Sequence, residues 1–323
     1  MRSIHALGVV IGLAIAAGTA VAAQDWPAHP ILVVSPFGPG TTYDLVARTV
    51  LNPAGHQIGQ PFTLENRPGG AGTLGVASVA KAAPDGYTLL LSSSAMSTAL
   101  ILHRSLPYDA LRDLEPVAMF GGEPSMLMAA PGKGINSVAD LVKAAKTNPG
   151  QLKFASVGIG SASHIAGERF RVAAGLNVQH VAFPGPAEAL ADLAAGRVDF
   201  YFVPVTPALP VMLEGKGVPL AVSTAHRLQS LPGLQTLAEA GYPIAGDLTW
   251  VGLSAPAHTP RDIVDKLNAA IGKALDSPAV KVNLLRTGFE PSPMSPEQYG
   301  KFLADDAAAM IKLGKDAHIE PLD

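Results

Sequence analysis

Residues 31–51 read ILVVSPFGPGTTYDLVARTVL. Ile31–Phe37 is an apolar, β-branched run, the signature of a short buried strand. Gly38-Pro39-Gly40 breaks it. From Asp44 to Leu51 the apolar residues recur at helical spacing. Strand, Gly/Pro loop and helix thus follow one another directly. The stretch FASVGIGSASH at 154–164 repeats the design, and helix spacing continues from Ser163 to Ala174.

The same alternation covers the rest of the chain. Strand-like runs recur at Phe62–Asn66, Thr88–Leu91, Val117–Phe120, Ser125–Ala129, Val178–Phe183, Val198–Val203, Pro219–Ser223 and Thr249–Ser254. Helical segments between them carry start signals: Ser137-x-x-Asp140, Thr236-x-x-Glu239 before Leu237–Ala240, Thr259 as N-cap with Pro260 following, and Ser295-Pro296 with Gln298. A further helix is expected over Ala187–Ala195. Alternating strands and helices predict an α/β fold with mainly parallel sheets. At 323 residues, about two domains are expected. No long linker divides them, so the chain is expected to cross between domains twice, near Phe120–Pro124 and Ser223–Arg227. The expected division is a signal peptide at 1–23, a first domain from 24–122 and 224–323, and a second domain at 123–223.

Composition narrows the function. There is no cysteine, which excludes disulfides, thiolate metal sites and cysteine nucleophiles. A net charge of −3 without a basic run argues against nucleic acid as a partner. The nine histidines show no metal-ligand spacing. Neither a metal nor a cofactor is therefore expected. With 33 glycines and 28 prolines, loops carry an unusual share of the sequence. Residues 1–23, MRSIHALGVVIGLAIAAGTAVAA, have a basic start, an apolar middle and an Ala20-Val21-Ala22 cleavage pattern. This layout predicts a secretory signal peptide and a periplasmic product.

Glycine lets backbone approach a ligand, and a helix start offers N–H groups and a positive dipole end. Two loops of this kind, both rich in Ser and Thr, suit an anion. Each could equally be an ordinary strand-to-helix connection. Ser92-Ser93-Ser94 is either a strand-exit turn or a third donor cluster. His164 serves a ligand or packs. Trp250 and Phe183 stack on a ligand or fill a core. Gly158-x-Gly160-x-x-Ser163 lacks the third glycine of a dinucleotide fingerprint and the acidic residue about 20 positions on, and P-loop and GxSxG patterns are absent. Ser78-x-x-Lys81 matches a hydrolase nucleophile pattern, which helix spacing explains as well. No nucleophile–base pair stands out, so binding without catalysis is expected.

Several strings resemble the tripartite tricarboxylate transporter receptors, the Bug family of periplasmic solute-binding proteins. They are Trp26-Pro27-Ala28-His29-Pro30-Ile31, Val34–Asp44, Glu65–Gly72, Ala82–Leu90, Leu106-Pro107-Tyr108-Asp109, Phe154–Glu168 and Ser254–Pro260. The resemblance spans nearly the whole chain after residue 23. It implies a two-domain, type II-like periplasmic binding protein fold with a cleft between the domains. It also implies capture of a small carboxylate by a monomer, with delivery to a two-component membrane permease. The binding residues it implies are Phe37, Gly38, Pro39, Gly40, Thr41 and Thr42 in one loop, with Ser92, Ser93 and Ser94 at a strand end. From the second domain it implies Gly158, Gly160, Ser161, Ala162, Ser163 and His164, with Phe183 and Pro184. Val203 and Trp250 complete the expected wall.

Two departures bear on the ligand. The family often has Phe-Asp-Asn where this chain has Phe202-Val203-Pro204, and its usual Gly-Gly-Gly-Thr-Asp is altered to Pro39-Gly40-Thr41-Thr42-Tyr43-Asp44, which brings a phenol near the cleft entrance. An acid in the 202–204 stretch could meet a ligand ammonium or organise water; Val203 and Pro204 can do neither and are expected to make the wall apolar. The expected ligand lacks an amino group and has an apolar body: an aromatic or longer-chain mono- or dicarboxylate, terephthalate-like for example. The alternatives are an exported serine hydrolase using Ser78 and Lys81 or the Ser92–Ser94 cluster, and a sensor that docks on a membrane kinase.

Overall fold

The structure is a computed structural model that describes residues 26–242 and 249–322. The expected signal peptide lies outside the described residues. The first unit opens with β1 (Ile31–Ser35), α1 (Thr42–Ile58), β2 (Phe62–Asn66), α2 (Thr73–Ala80), β3 (Thr88–Ser93), α3 (Ala95–Leu102) and β4 (Leu114–Glu123). The second contains β5 (Ser125–Ala129), α4 (Val138–Thr147), β6 (Lys153–Ser156), α5 (Ala162–Ala174) and β7 (Gln179–Ala182). It continues through α6 (Pro186–Ala194), β8 (Phe200–Pro204), α7 (Val205–Leu213) and β9 (Val218–Val222). The chain then adds β10 (Thr249–Pro256), α8 (Arg261–Asp276), α9 (Pro278–Arg286), β11 (Glu290–Met294) and α10 (Pro296–Asp316) to the first unit.

Two sheets result, ordered β11-β4-β10-β3-β1-β2 and β7-β6-β8-β5-β9. Each has a parallel trio, β2-β1-β3 or β7-β6-β8. The remaining pairs are antiparallel. The sheets are therefore mixed, where the alternation of strands and helices predicts mainly parallel ones. The reason is the crossing: β4 and β10 run against each other, one leaving the first unit and the other entering it. Only Pro124 separates β4 from β5.

Apolar faces place the layers. In α8, Ile263, Val264, Leu267, Ala270, Ile271, Ala274 and Leu275 are buried at helical spacing. They pack with Val46 and Val50 of α1 on one face of the first sheet. Trp250, Tyr299 and Leu303 fill the other face beneath α10. In the second unit, Phe154, Phe170, Phe200 and Phe202 form one core and Met126, Tyr201 and Val203 lie in another.

The return to the first unit differs from the expected position. Leu228 and Leu237 are buried in the second unit's cores, and Tyr242 packs on Phe170. Residues 224–242 thus belong with the second sheet. The Thr236–Glu239 box forms, with Thr236 Oγ1 accepting from Glu239 N at 3.1 Å and Thr236 N donating to Glu239 Oε2 at 2.8 Å. Only a turn follows it, because left-handed Gly241 stops the chain after one revolution. Thr259 donates to Pro256 O at 2.7 Å instead of capping α8, whose N-cap is Pro260.

Candidate functional site

Residues following β1, β3 and β6 line one cavity of about 150 Å³ between the units. The first unit contributes Tyr43, Ser94, Ala95, Thr98, Asp306 and Met310, and the second Gly160, Ser161, Ala162, Ile165 and Arg169. This is the carboxyl edge of the strands, where open α/β sheets bind ligands.

The second unit's loop is held by its own hydroxyls. Ser161 Oγ caps α5 by accepting from His164 N at 3.2 Å, and donates to Gly158 O at 2.7 Å. Ser163 Oγ accepts from Val157 N at 3.1 Å, and Ser156 Oγ accepts from Gly158 N at 3.0 Å. Gly160 N donates to His164 Nδ1 at 3.3 Å, which leaves that nitrogen without a proton. Burial drives the His164 pKa down to about 4, and the nearby His180 and Arg171 push the same way. His164 is therefore a neutral, buried brace for the loop. Burial also lowers His180, whose ring centre lies 4.5 Å away.

The loop after β1 follows the same logic with a carboxylate at its centre. Asp44 Oδ2 accepts from Gly40 N at 3.1 Å, and Arg48 binds both carboxylate oxygens at 3.1 Å. Asn66 Nδ2 donates to Asp44 Oδ1 at 3.2 Å and to Phe37 O at 2.9 Å. Burial pushes the Asp44 carboxyl up, but the hydrogen bonds from Arg48, Gly40 and Asn66 outweigh it and hold it below its ordinary range. Thr41 Oγ1 donates to Gly38 O at 2.9 Å and caps α1.

The glycine N–H groups of Gly40, Gly158 and Gly160 are thus turned inward. The helix starts are different. In an α-helix the first N–H groups lie outside the helix's own ladder. In α5 these belong to Ala162 and Ser163, and in α1 to Thr42 and Tyr43. Ala162 lies in the cavity lining, and the positive dipole end of α5 favours an anion beside it. Tyr43 stacks on Phe37 with ring centres 3.8 Å apart. Burial raises the Tyr43 phenol to about 12, Ser94 hydrogen-bonds to it and lowers it, and Glu123 adds a further rise. It is a neutral donor at the cavity wall.

Of the residues expected from sequence, Ser94, Gly160, Ser161 and Ala162 meet in the cavity lining. Pro39, Gly40, Thr41 and Thr42 are exposed, and Phe37 and Gly38 half-buried. Phe183 is half-buried against a core, and Pro184 is exposed. Three side chains point elsewhere. Ser92 is buried between Tyr299 Oη at 2.9 Å and Ser254 Oγ at 3.1 Å. Val203 is core. Trp250 is fully buried, meets Tyr299 and Phe302 edge-on, and donates to Asp306 Oδ2 at 3.0 Å. Both side chains are committed to the cores of their own units, so neither Val203 nor Trp250 forms a ligand wall. Ser93 Oγ accepts from Ala95 N at 3.3 Å at the start of α3.

Sequence reasoning passed over Thr98, Ile165, Arg169, Asp306 and Met310. Asp306 and Met310 sit on α10, far along the chain, and no local motif marks them. The hydrolase pattern dissolves into helix structure. Ser78 Oγ donates to Gly75 O at 2.7 Å and accepts from Arg67 Nη1 at 3.2 Å, and Lys81 is exposed at the end of α2. Among the described residues, no three His, Asp or Glu side chains cluster to hold a metal, and no helix is long and apolar enough to cross a membrane.

Two α/β units with a cavity at facing strand ends define a solute-binding protein of the periplasmic type. The chain belongs to the family described as the tripartite tricarboxylate transporter family receptor, whose model matches residues 46–317. Protein BugT of Bordetella pertussis is 36% identical over 302 residues, covering 92% of this chain and 93% of BugT. The structure of R. palustris Rpa4515 with adipate is similar at a TM-score of 0.74 and 33% identity, covering 92% of this chain and all of that one. MatC from Rhodopseudomonas palustris with bound malate gives 0.69 and 30%, covering 89% of this chain and 99% of MatC.

Proposed function

We propose that this receptor captures a small carboxylate in the cavity between its units and passes it to a two-component membrane permease after export through a cleavable signal. The ligand is a mono- or dicarboxylate with an aromatic or longer aliphatic body and no amino group. The observation that carries this reading is the α5 start: Gly160, Ser161 and Ala162 face Tyr43, Ser94 and Thr98 across the cavity. Hydroxyls and a helix end from opposite units surround one small volume. A carboxylate there takes hydrogen bonds from both units, so it favours their closed arrangement. Binding requires no covalent step, and the chain is proposed to act as a monomer.

Similar proteins support the ligand class. Rpa4515 was solved with adipate and MatC with malate. The apolar body has partners in Ala95, Ile165 and Met310. Asp306, the acid in the lining, accepts from Trp250 and pairs with Arg169, so its charge is already offset within the protein.

A thermal-shift screen over adipate, malate, terephthalate, benzoate, aspartate and glutamate tests the reading. A ligand at a hundredfold excess over its Kd stabilises the folded state by about 2.7 kcal/mol. A shift with a carboxylate that lacks an amino group is expected. Shifts with aspartate or glutamate alone contradict the proposal.

A further inference from the structure

The cavity has one flank where the chain closes on itself. Arg169 of α5 and Asp306 of α10 come from opposite units, with Nη2 to Oδ1 at 3.6 Å. Their side chains are 14% and 9% exposed, so solvent screens the pair less than an ion pair on the surface. Asp306 is oriented from behind by the Trp250 indole, which is fixed in the core. Along the same helix Arg171 Nη2 donates to Ala317 O at 3.2 Å, a second tie across the boundary. One turn before Arg169 on α5, Ile165 packs with Ile101, Leu102, Met310 and Leu313 of the first unit. Gly160 approaches Leu102 so closely that a Cβ would stand 2.4 Å from its Cδ1.

We propose that Arg169 and Asp306 are positioning residues, a latch that holds the second unit over the cavity. The latch consists of protein groups alone, and Trp250 sets its direction. It lets α5 and α10 favour closure before a ligand adds its own contacts. A cavity wall that is partly latch also explains why a fully buried tryptophan is tied to a residue at the cavity's edge. The inference uses the binding reading for its consequence, but the geometry and the test are independent of which ligand binds.

The absence of cysteine makes the test direct, because two introduced thiols are the only labels. Leu45→Cys in α1 and Ala187→Cys in α6, both exposed, carry spin labels on opposite units. Distances are measured by double electron–electron resonance without added ligand. Asp306→Asn keeps an acceptor for Trp250 but removes the charge, and Arg169→Met removes the other charge. Both are expected to shift the distribution to longer separations or broaden it toward them, while Arg169→Lys retains the wild-type distribution. Folding of each variant is checked by circular dichroism. An unchanged distribution in folded Asp306→Asn or folded Arg169→Met overturns the latch. So does an Arg169→Lys distribution that matches Arg169→Met. Neither result bears on the carboxylate reading, which the thermal-shift screen judges separately.

Discussion

At Gly160 the backbone is left-handed, with φ at +80°, and the space for a side chain is taken by Leu102. Gly160→Ala therefore meets strain from both sources, about 1–2 kcal/mol from the backbone alone. Ligand affinity is expected to fall at least tenfold, because relief requires the loop to back away from the first unit. Calorimetry on the variant checks this. Ser163→Ala leaves the Val157 N–H without its acceptor inside the loop. A loss of about 1–3 kcal/mol in stability is expected, read from urea unfolding. Glu123 supplies a pH test. Burial lifts its carboxyl from 4.5 to about 7. A raised pKa means that the folded state keeps the proton longer, so its stabilising contribution is present below about 4.5 and lost as pH rises through about 7. Glu123→Gln lacks this loss. The variant's melting temperature should gain on the wild type across that window, and a constant difference contradicts the assignment. His164 acts in the opposite direction, since its stability is lost as pH falls from 6.5 to about 4.

At the scale of elements, the legible parts were those with a strong local signal. The β1 loop and α1, and the β6 loop and α5, follow from Gly, Pro and hydroxyl placement alone. Helix α1 runs to Ile58, beyond Leu51, because Pro53 and Gly55 interrupt the apolar period without ending the helix. Helices α3 and α7 escaped notice for a different reason. AMSTALIL is apolar on nearly every side, and VTPALPVML contains two prolines, so neither shows a 3.6-residue stripe. The cavity residues on α10 were illegible because tertiary packing alone brings Asp306 to Arg169. One cap is worth testing at this scale. Ser161→Ala removes the α5 N-cap acceptor, and a loss of about 1 kcal/mol in unfolding free energy is expected.

For the whole molecule, the chain passes between the units at Pro124 and returns after residue 242, so both units are held by short connections as well as by contacts. The ion pair, the apolar contact of Ile165 and the close approach of Thr206 to Gly288 lie between the units. An anion at the α5 start adds to these contacts. Carboxylate capture between the units is the function these contacts would serve. Isothermal titration calorimetry tests it most directly, using purified residues 24–323 with adipate, terephthalate, aspartate and glutamate in separate titrations. Saturable one-to-one binding of at least one of the two amino-free acids is expected, and none of aspartate or glutamate. Binding of the amino acids alone would contradict it.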